Sequence, residues 1–274
     1  MPRILAFDIG IKNLAWCCGD LSGSTCLIRG WANENLMTGG TAEQSEASNR
    51  CSTCSHKAGF WHSASQKAYC VRHCPPLTPA LRDLSGTILK KTPALSVLKG
   101  LAGKHDPTKA DMKTKTTILA FLEKHYCFPK PPAQKIAKIE LEALHEGMRT
   151  MALRNYALFS TCNEILLENQ PVYKNPIMKS VQMMLFATLR DLLRVDGAAP
   201  PKLRLVHAGK KTAGATKGDE GYSERKGASE ARVLEGFVSR KLQMADERGA
   251  DWFSSQTKKS DLADCLCMVL DSAK

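Results

Sequence analysis

The composition of this chain changes twice, and that division constrains its fold more than any single motif. Short apolar runs and tight turns fill the first 38 residues, a polar stretch opens at Thr38-Gly39-Gly40-Thr41, and regular apolar patterning resumes at Ile136. A length of 274 residues suits one large domain or a core carrying one inserted module. The patterning predicts the second: a core of 1–38 and 136–274 interrupted by an insertion at 39–135. The formal net charge is +12, and residues 51–138 hold 15 Lys/Arg against four Asp/Glu. Such an excess favours a polyanionic partner. No apolar run reaches the roughly 18 residues of a membrane span, so nucleic acid is expected and a membrane is not.

Within the core, Arg3 to Asp8 reads as a buried strand followed by a turn at Ile9-Gly10-Ile11-Lys12-Asn13. Leu14 to Cys18 and Thr25 to Trp31 read as two further strands, with Gly19 to Ser24 as their hairpin loop. After the insertion, Leu141, Leu144, Met148 and Met151 recur at helical spacing. Glu164 to Glu168 is a short apolar strand that ends on a carboxylate. Asn175 is placed to cap a helix with Pro176 in its first turn. The buried stripe of that helix is expected to be Ile177, Val181, Met184, Leu185, Thr188 and Leu192, serving as core or as an interface. Leu203 to His207 reads as a strand and Gly209 to Gly227 as a loop. Helices are expected over Ala228 to Gln243 and Ser260 to Ser272. The fold class is therefore α/β, a mixed five-stranded sheet with helices on both faces and a small inserted module.

Four carboxylates stand out by position. Asp8 ends the first strand, Glu168 ends the strand expected beside it, and Asp261 and Asp264 lie three apart in the first turn of the last helix, on one face. Ser260 is the expected N-cap. Convergent carboxylates suit Mg²⁺, a hard ion that prefers oxygen ligands, and two such ions can clamp the attacking and leaving oxygens of a phosphodiester displacement. Each position also has a plainer reading, as a turn former or as a partner of the helix dipole.

Three segments resemble motifs of the RuvC-type, RNase H-like Holliday junction resolvases of poxviruses and fungal mitochondria. They are Phe-Asp-Ile-Gly-Ile-Lys-Asn-Leu-Ala (7–15), Leu-Leu-Glu-Asn-Gln-Pro (166–171) and Lys-Lys-Ser-Asp-Leu-Ala-Asp-Cys-Leu (258–266). The strand and helix order outside the insertion is also that of an RNase H-like core. The resemblance implies that Asp8, Glu168, Asp261 and Asp264 hold two Mg²⁺ (or Mn²⁺) ions. It further implies a homodimer that makes paired nicks in four-way DNA junctions. Lys12, Asn13, Gln170, Lys210, Lys211, Lys258 and Lys259 are the expected DNA-contacting residues beside that site, with Gln170 and Asn169 alternatively placed to orient Glu168. The insertion departs from the family's pattern, and a related enzyme of another large DNA virus would fit, acting in an infected host cell.

The insertion carries Cys51-x2-Cys54, and Cys70-x2-His73-Cys74 follows after 15 residues. This is the spacing of a structural zinc site. Cys51, Cys54 and Cys70 are the expected ligands; the fourth is Cys74 or His73, with Cys74 slightly preferred and His56 and His62 as outside candidates. Phe60, Trp61 and Tyr69, with Lys57, Lys67 and Arg72, offer either stacking and phosphate contacts or a miniature core. The other seven cysteines (Cys17, Cys18, Cys26, Cys127, Cys162, Cys265, Cys267) fall on apolar patterns and are expected to pack. Eleven cysteines, an odd number, and a first strand that follows Met-Pro-Arg directly predict an intracellular, reducing compartment.

Three other functions share part of this pattern. A zinc-bearing nucleic-acid binding or transcription factor could use a degenerate nuclease core, although all four carboxylates are present. RNA-guided and transposon-type RuvC nucleases also combine such carboxylates with a zinc ribbon. Their ribbon lies between the Glu and the last Asp, whereas here the cysteines precede Glu168. An actin-like kinase would need a second Asp-Gly phosphate loop, which the sequence lacks.

Overall fold

The computed structural model describes residues 1–41, 49–130, 140–173, 176–194, 199–207 and 220–272, with the backbone alone for 220–225. In chain order the strands are β1 (Arg3–Asp8), β2 (Leu14–Ser22), β3 (Thr25–Asn35), β4 (Gly40–Thr41), β5 (Phe60–His62), β6 (Lys67–Tyr69), β7 (Phe128–Pro129), β8 (Glu164–Asn169), β9 (Lys202–His207) and β10 (Leu242–Met244). The helices are α1 (Leu95–Ala102), α2 (Lys115–Leu122), α3 (Leu141–Arg154), α4 (Tyr156–Phe159), α5 (Pro176–Leu192), α6 (Glu220–Val238), α7 (Ala250–Ser255) and α8 (Lys259–Asp271). The chain divides into two compact units, one of residues 1–42 with 136–274 and one of residues 43–135.

The first unit is built on a mixed sheet of order β10-β3-β2-β1-β8-β9. β1, β2 and β3 are antiparallel neighbours, and β8 and β9 add in parallel to β1. Those five strands and their flanking helices form the RNase H-like arrangement that the sequence predicts. Two short strands extend it: β4 pairs with β3, and β10 pairs in parallel with β3. β1 is apolar without alternation because helices cover both of its faces. Leu5 and Phe7 point into a cluster with Leu144, Met148, Met151, Val181 and Leu185 of α3 and α5. Ile4 and Ala6 point the other way, into a cluster with Leu262, Cys265, Leu266 and Val269 of α8.

Several local expectations need correction. The β2–β3 hairpin turns on Gly23-Ser24 alone, with Ser22 paired to Thr25, because Gly23 takes φ +57°, a conformation glycine adopts without penalty. Glycine 19 to Leu21 are therefore strand. The helix expected over 228–243 ends at Val238, and Leu242–Met244 instead joins the sheet edge. Residues 220–227, expected in a loop, are already helical. α7 was not foreseen. Ser260 lies inside α8, whose N-cap is Lys258, and its hydroxyl bonds Asp261. On α5, Val181, Leu185 and Thr188 are buried as expected, but Ile177 is exposed and Gln182 and Leu189 take its place in the core. Asn175 lies outside the described residues.

Ion pairs brace the core. Arg154 of α3 bonds Glu34 of β3, a carboxylate 2% exposed that also accepts from Trp16 Nε1 at 3.1 Å. Arg3 and Arg29 both reach Asp20, each with a 2.7 Å contact. The Arg3 hydrogen bond, opposed by burial and reinforced by Arg29, holds the Asp20 carboxyl below its usual range.

The second unit is small. β5 is paired by β6 on one side and β7 on the other. α1 and α2 enclose a cluster of Leu81, Leu98, Leu101, Ile118 and Leu122, and Phe60, Ala80 and Cys127 make a smaller one.

Candidate active site and metal centre

Asp8 ends β1 and Glu168 is the penultimate residue of β8. The parallel register that sets Phe7 beside Leu167 brings Asp8 beside Glu168 one step further on. The Ile9 backbone N–H lies 3.4 Å from Glu168 Oε2. Side chains alternate across a strand. Leu5, Phe7, Ile165 and Leu167 occupy one face, whereas Ile4, Ala6 and Leu166 occupy the face covered by α8. By that alternation Asp8 and Glu168 project toward α8.

The start of α8 lies at the same sheet end. Asp8 pairs with Ala15, which pairs with Asn33, and Asn33 Nδ2 donates to the Lys258 carbonyl at 3.3 Å. Two strands across from Asp8, that bond fastens the helix start carrying Asp261 and Asp264. A second anchor runs from Trp31 Nε1 to the Leu262 carbonyl at 3.0 Å. The four carboxylates are all half-buried, and three separate elements supply them to one end and one face of the sheet. Among the described residues they are not packed in threes within 4.8 Å of one another. Carboxylates that close repel unless a cation joins them, and a lysine stands against one of them: Lys226 Nζ bonds Asp261 Oδ1 at 3.1 Å and Ser260 Oγ at 3.2 Å.

Glycine is required at position 10. A Cβ there would lie 2.2 Å from the Asn13 carbonyl oxygen, so the turn that follows Asp8 closes only over a hydrogen. Lys12 and Asn13 occupy that turn. Gln170 Nε2 donates to Glu168 Oε2 at 2.7 Å, and the Gln170 N–H donates to Gln182 Oε1 at 2.8 Å. Lys179 bonds both Gln182 Oε1 and Asn169 Oδ1. Gln170 is thus a support for Glu168. Lys258 caps α8, and Lys259 pairs with Glu230 at 3.4 Å. Lys210 and Lys211 lie outside the described residues.

Lys179, Gln182 and Lys226 were not foreseen. Gln182 carried a legible signal, a fully buried amide between Val181 and Leu185 on an apolar stripe. Lys226 carried none, since the stretch around it reads as a loop.

In the second unit, Cys51, Cys54, Cys70 and His73 bring one donor atom each to within 4.8 Å of one another. Cys54 Sγ is 3.9 Å from Cys70 Sγ, and His73 Nδ1 is 3.6 Å from Cys51 Sγ and 3.4 Å from Cys70 Sγ. The fourth corner is His73, where the sequence slightly preferred Cys74. Cys74 turns away: its thiol donates to the Cys70 carbonyl at 3.6 Å and packs with Phe60, Ala80 and Cys127. The hydrogen bond with Cys127, and then burial, push the Cys74 thiol up. Desolvation would raise Cys51 too, but the backbone amides of Cys70, Thr53 and Cys54 and the His73 ring bring it down to about 5. The His56 ring contacts Cys54 Sγ at 3.5 Å but is not part of the convergent set, its carbonyl accepts from the Cys51 N–H at 2.8 Å, and the His62 ring bonds Ser65. Phe60 is buried and so belongs to the miniature core. All seven cysteines expected to pack are buried free thiols.

No protein-family model matches the sequence, and no curated protein does. Among solved structures, the chain is similar to the yeast mitochondrial Holliday junction resolvase Ydc2, at 14% identity and a TM-score of 0.45, over 98% of this chain and 78% of that one.

Proposed function

We propose that the protein is a divalent-metal-dependent endonuclease that cuts branched DNA, acting as a homodimer on four-way junctions. The observation that carries this reading is the convergence of Asp8, Glu168, Asp261 and Asp264 on one end and one face of an RNase H-like sheet. Half-buried carboxylates from a strand end, its parallel neighbour and a helix start have the donor chemistry for hard divalent ions. When bound there, two Mg²⁺ or Mn²⁺ ions would activate a water and stabilise charge on the scissile phosphate.

The chain's own residues prepare that centre. Gln170 and the Ile9 N–H fix one Glu168 oxygen, so the carboxylate is oriented before an ion arrives. Outer hydrogen bonds of this kind commonly set metal affinity. Lys226 balances the charge of Asp261. Lys12 and Asn13 in the turn after Asp8, Lys258 and Lys259 at the start of α8, and Lys210 and Lys211 would contact the DNA backbone. Such contacts position a substrate without reading its sequence. The excess of basic residues in the second unit supports a polyanionic partner, and eleven cysteines, none of them in a disulfide, suit a reducing compartment such as the interior of a host cell.

The test is incubation of the purified protein with a labelled four-way junction, its linear arms and a flap, with Mg²⁺ and with EDTA. Symmetrical nicks in the junction alone, abolished by EDTA, are expected. Tight junction binding with no cleavage in Mg²⁺ or Mn²⁺ would favour a non-catalytic nucleic-acid binding protein instead.

A further inference from the structure

The geometry assigns to the second unit a structural Zn²⁺, held by the thiolates of Cys51, Cys54 and Cys70 and by Nδ1 of His73, which latches together the two ends of the insertion. This inference does not depend on the nuclease reading.

The donor spacing fits the ion. With Zn–S of about 2.3 Å and Zn–N of about 2.0–2.1 Å, a tetrahedron has edges of about 3.8 Å between sulfurs and about 3.6 Å between sulfur and nitrogen. Cys54 Sγ and Cys70 Sγ are 3.9 Å apart, His73 Nδ1 is 3.6 Å from Cys51 Sγ and 3.4 Å from Cys70 Sγ, and all four donors lie within 4.8 Å of one another. Three soft thiolates and an imidazole select zinc over magnesium or calcium. Four protein donors leave no open position, which marks a structural rather than a catalytic ion.

The ligands sit where the unit most needs a constraint. Cys51 and Cys54 precede β5, and Cys70 and His73 follow β6, so the ion would clamp both ends of a hairpin whose strands are three residues each. β5 also carries β7, the returning end of the insertion, through pairing of Phe60 with Pro129 and Trp61 with Phe128. The Lys130 N–H donates to the Gly59 carbonyl at 2.9 Å, and Lys130 Nζ reaches Asn49 Oδ1 at 3.1 Å. The outgoing chain at Asn49 and the returning chain at Lys130 therefore meet on one small sheet. Beneath the hairpin, Phe60, Ala80 and Cys127 make a small buried cluster, with Tyr69, Cys74 and Ile88 partly buried against it, while Phe128 of β7 packs into the larger cluster of Leu81, Leu98 and Ile118. An isolated hairpin with strands of three residues is marginal in water, so its ligand-bearing ends gain from a further constraint, and metal binding supplies folding free energy directly.

The test combines zinc analysis of the full chain with hydrogen exchange. The wild-type protein should contain one zinc per chain, and Co²⁺ replacement should give the absorption bands of a tetrahedral thiolate site. Cys51→Ser and His73→Ala should lose the metal, whereas Cys74→Ser and His56→Ala should keep it. His73→Cys should retain zinc, which separates loss of a ligand from failure to fold. Chelation should remove exchange protection from 49–74 and 128–130 and leave β1 to β3 protected. Absence of both zinc and cobalt bands would overturn the assignment. So would loss of metal from Cys74→Ser with retention in His73→Ala, or protection in the hairpin that is indifferent to chelation.

Discussion

The two units differ in what holds them together. In the first, a wide sheet buries apolar side chains on both faces, and one cluster alone gathers Leu5, Phe7, Trp16, Phe159 and Leu185 among its members. That unit folds by removing apolar surface from water, the dominant favourable contribution in a domain of this size. In the second, strands of two and three residues lie beside four side chains whose sulfur and nitrogen donors converge. On the proposed readings, each unit has its own relation to metal. The core can form its sheet first and offer hard oxygen donors at one end, where an ion would serve chemistry. The inserted unit presents sulfur and nitrogen donors whose ion would serve the fold.

That contrast can be broken or sharpened by substitution. The largest effect on stability is expected from Arg154→Ala, which leaves Glu34 buried without its cation. It should cost about 3 kcal/mol in denaturant unfolding of the core while leaving zinc content unchanged. Loss of zinc in that variant would mean the units are not independent. Gln170→Ala removes the side-chain donor to Glu168. It should raise the Mg²⁺ concentration needed for cleavage about 10- to 100-fold, with little change in melting temperature. An unchanged Mg²⁺ dependence would remove Gln170 from the site.

The smallest effect is one of pH. Arg3 and Arg29 favour the charged form of Asp20, so its folded pKa is depressed. Its stabilisation is therefore fully present above the unfolded value of about 3.9 and is lost as pH falls through the folded one. Asp20→Asn should melt below the wild type at neutral pH, and the gap should narrow below about pH 4. A constant gap would show that shape, not charge, matters there.

Much of the core was legible because its signals are local. A short continuous apolar run from Ile4 to Phe7 bounded by a turn reads as a buried strand, and Asp8 before Gly10 marks its end. The Cys-x2-Cys spacing likewise announces a metal site. What escaped was set by tertiary contact. Leu242 to Met244 continues a helical pattern but is captured by the open edge of β3, where backbone pairing outweighs local propensity. The preference for Cys74 over His73 turned on which of two adjacent side chains faces the other ligands. The His73 ring shares the convergent donor set while Cys74 packs toward Phe60, Ala80 and Cys127, and spacing alone does not encode that. Lys226 reaches Asp261 from 35 residues away, a relation visible only once α6 lies on α8.

The most direct test of the carboxylate centre is a comparison of the wild type with Asp8→Asn on a labelled four-way junction in Mg²⁺, reading binding and nicking on the same samples. The variant should bind the junction as the wild type does, keep its zinc, and lose nicking by about 100-fold or more, the scale expected when a principal source of transition-state stabilisation is removed. Nicking by Asp8→Asn at the wild-type rate would contradict the assignment of that strand end as the catalytic centre.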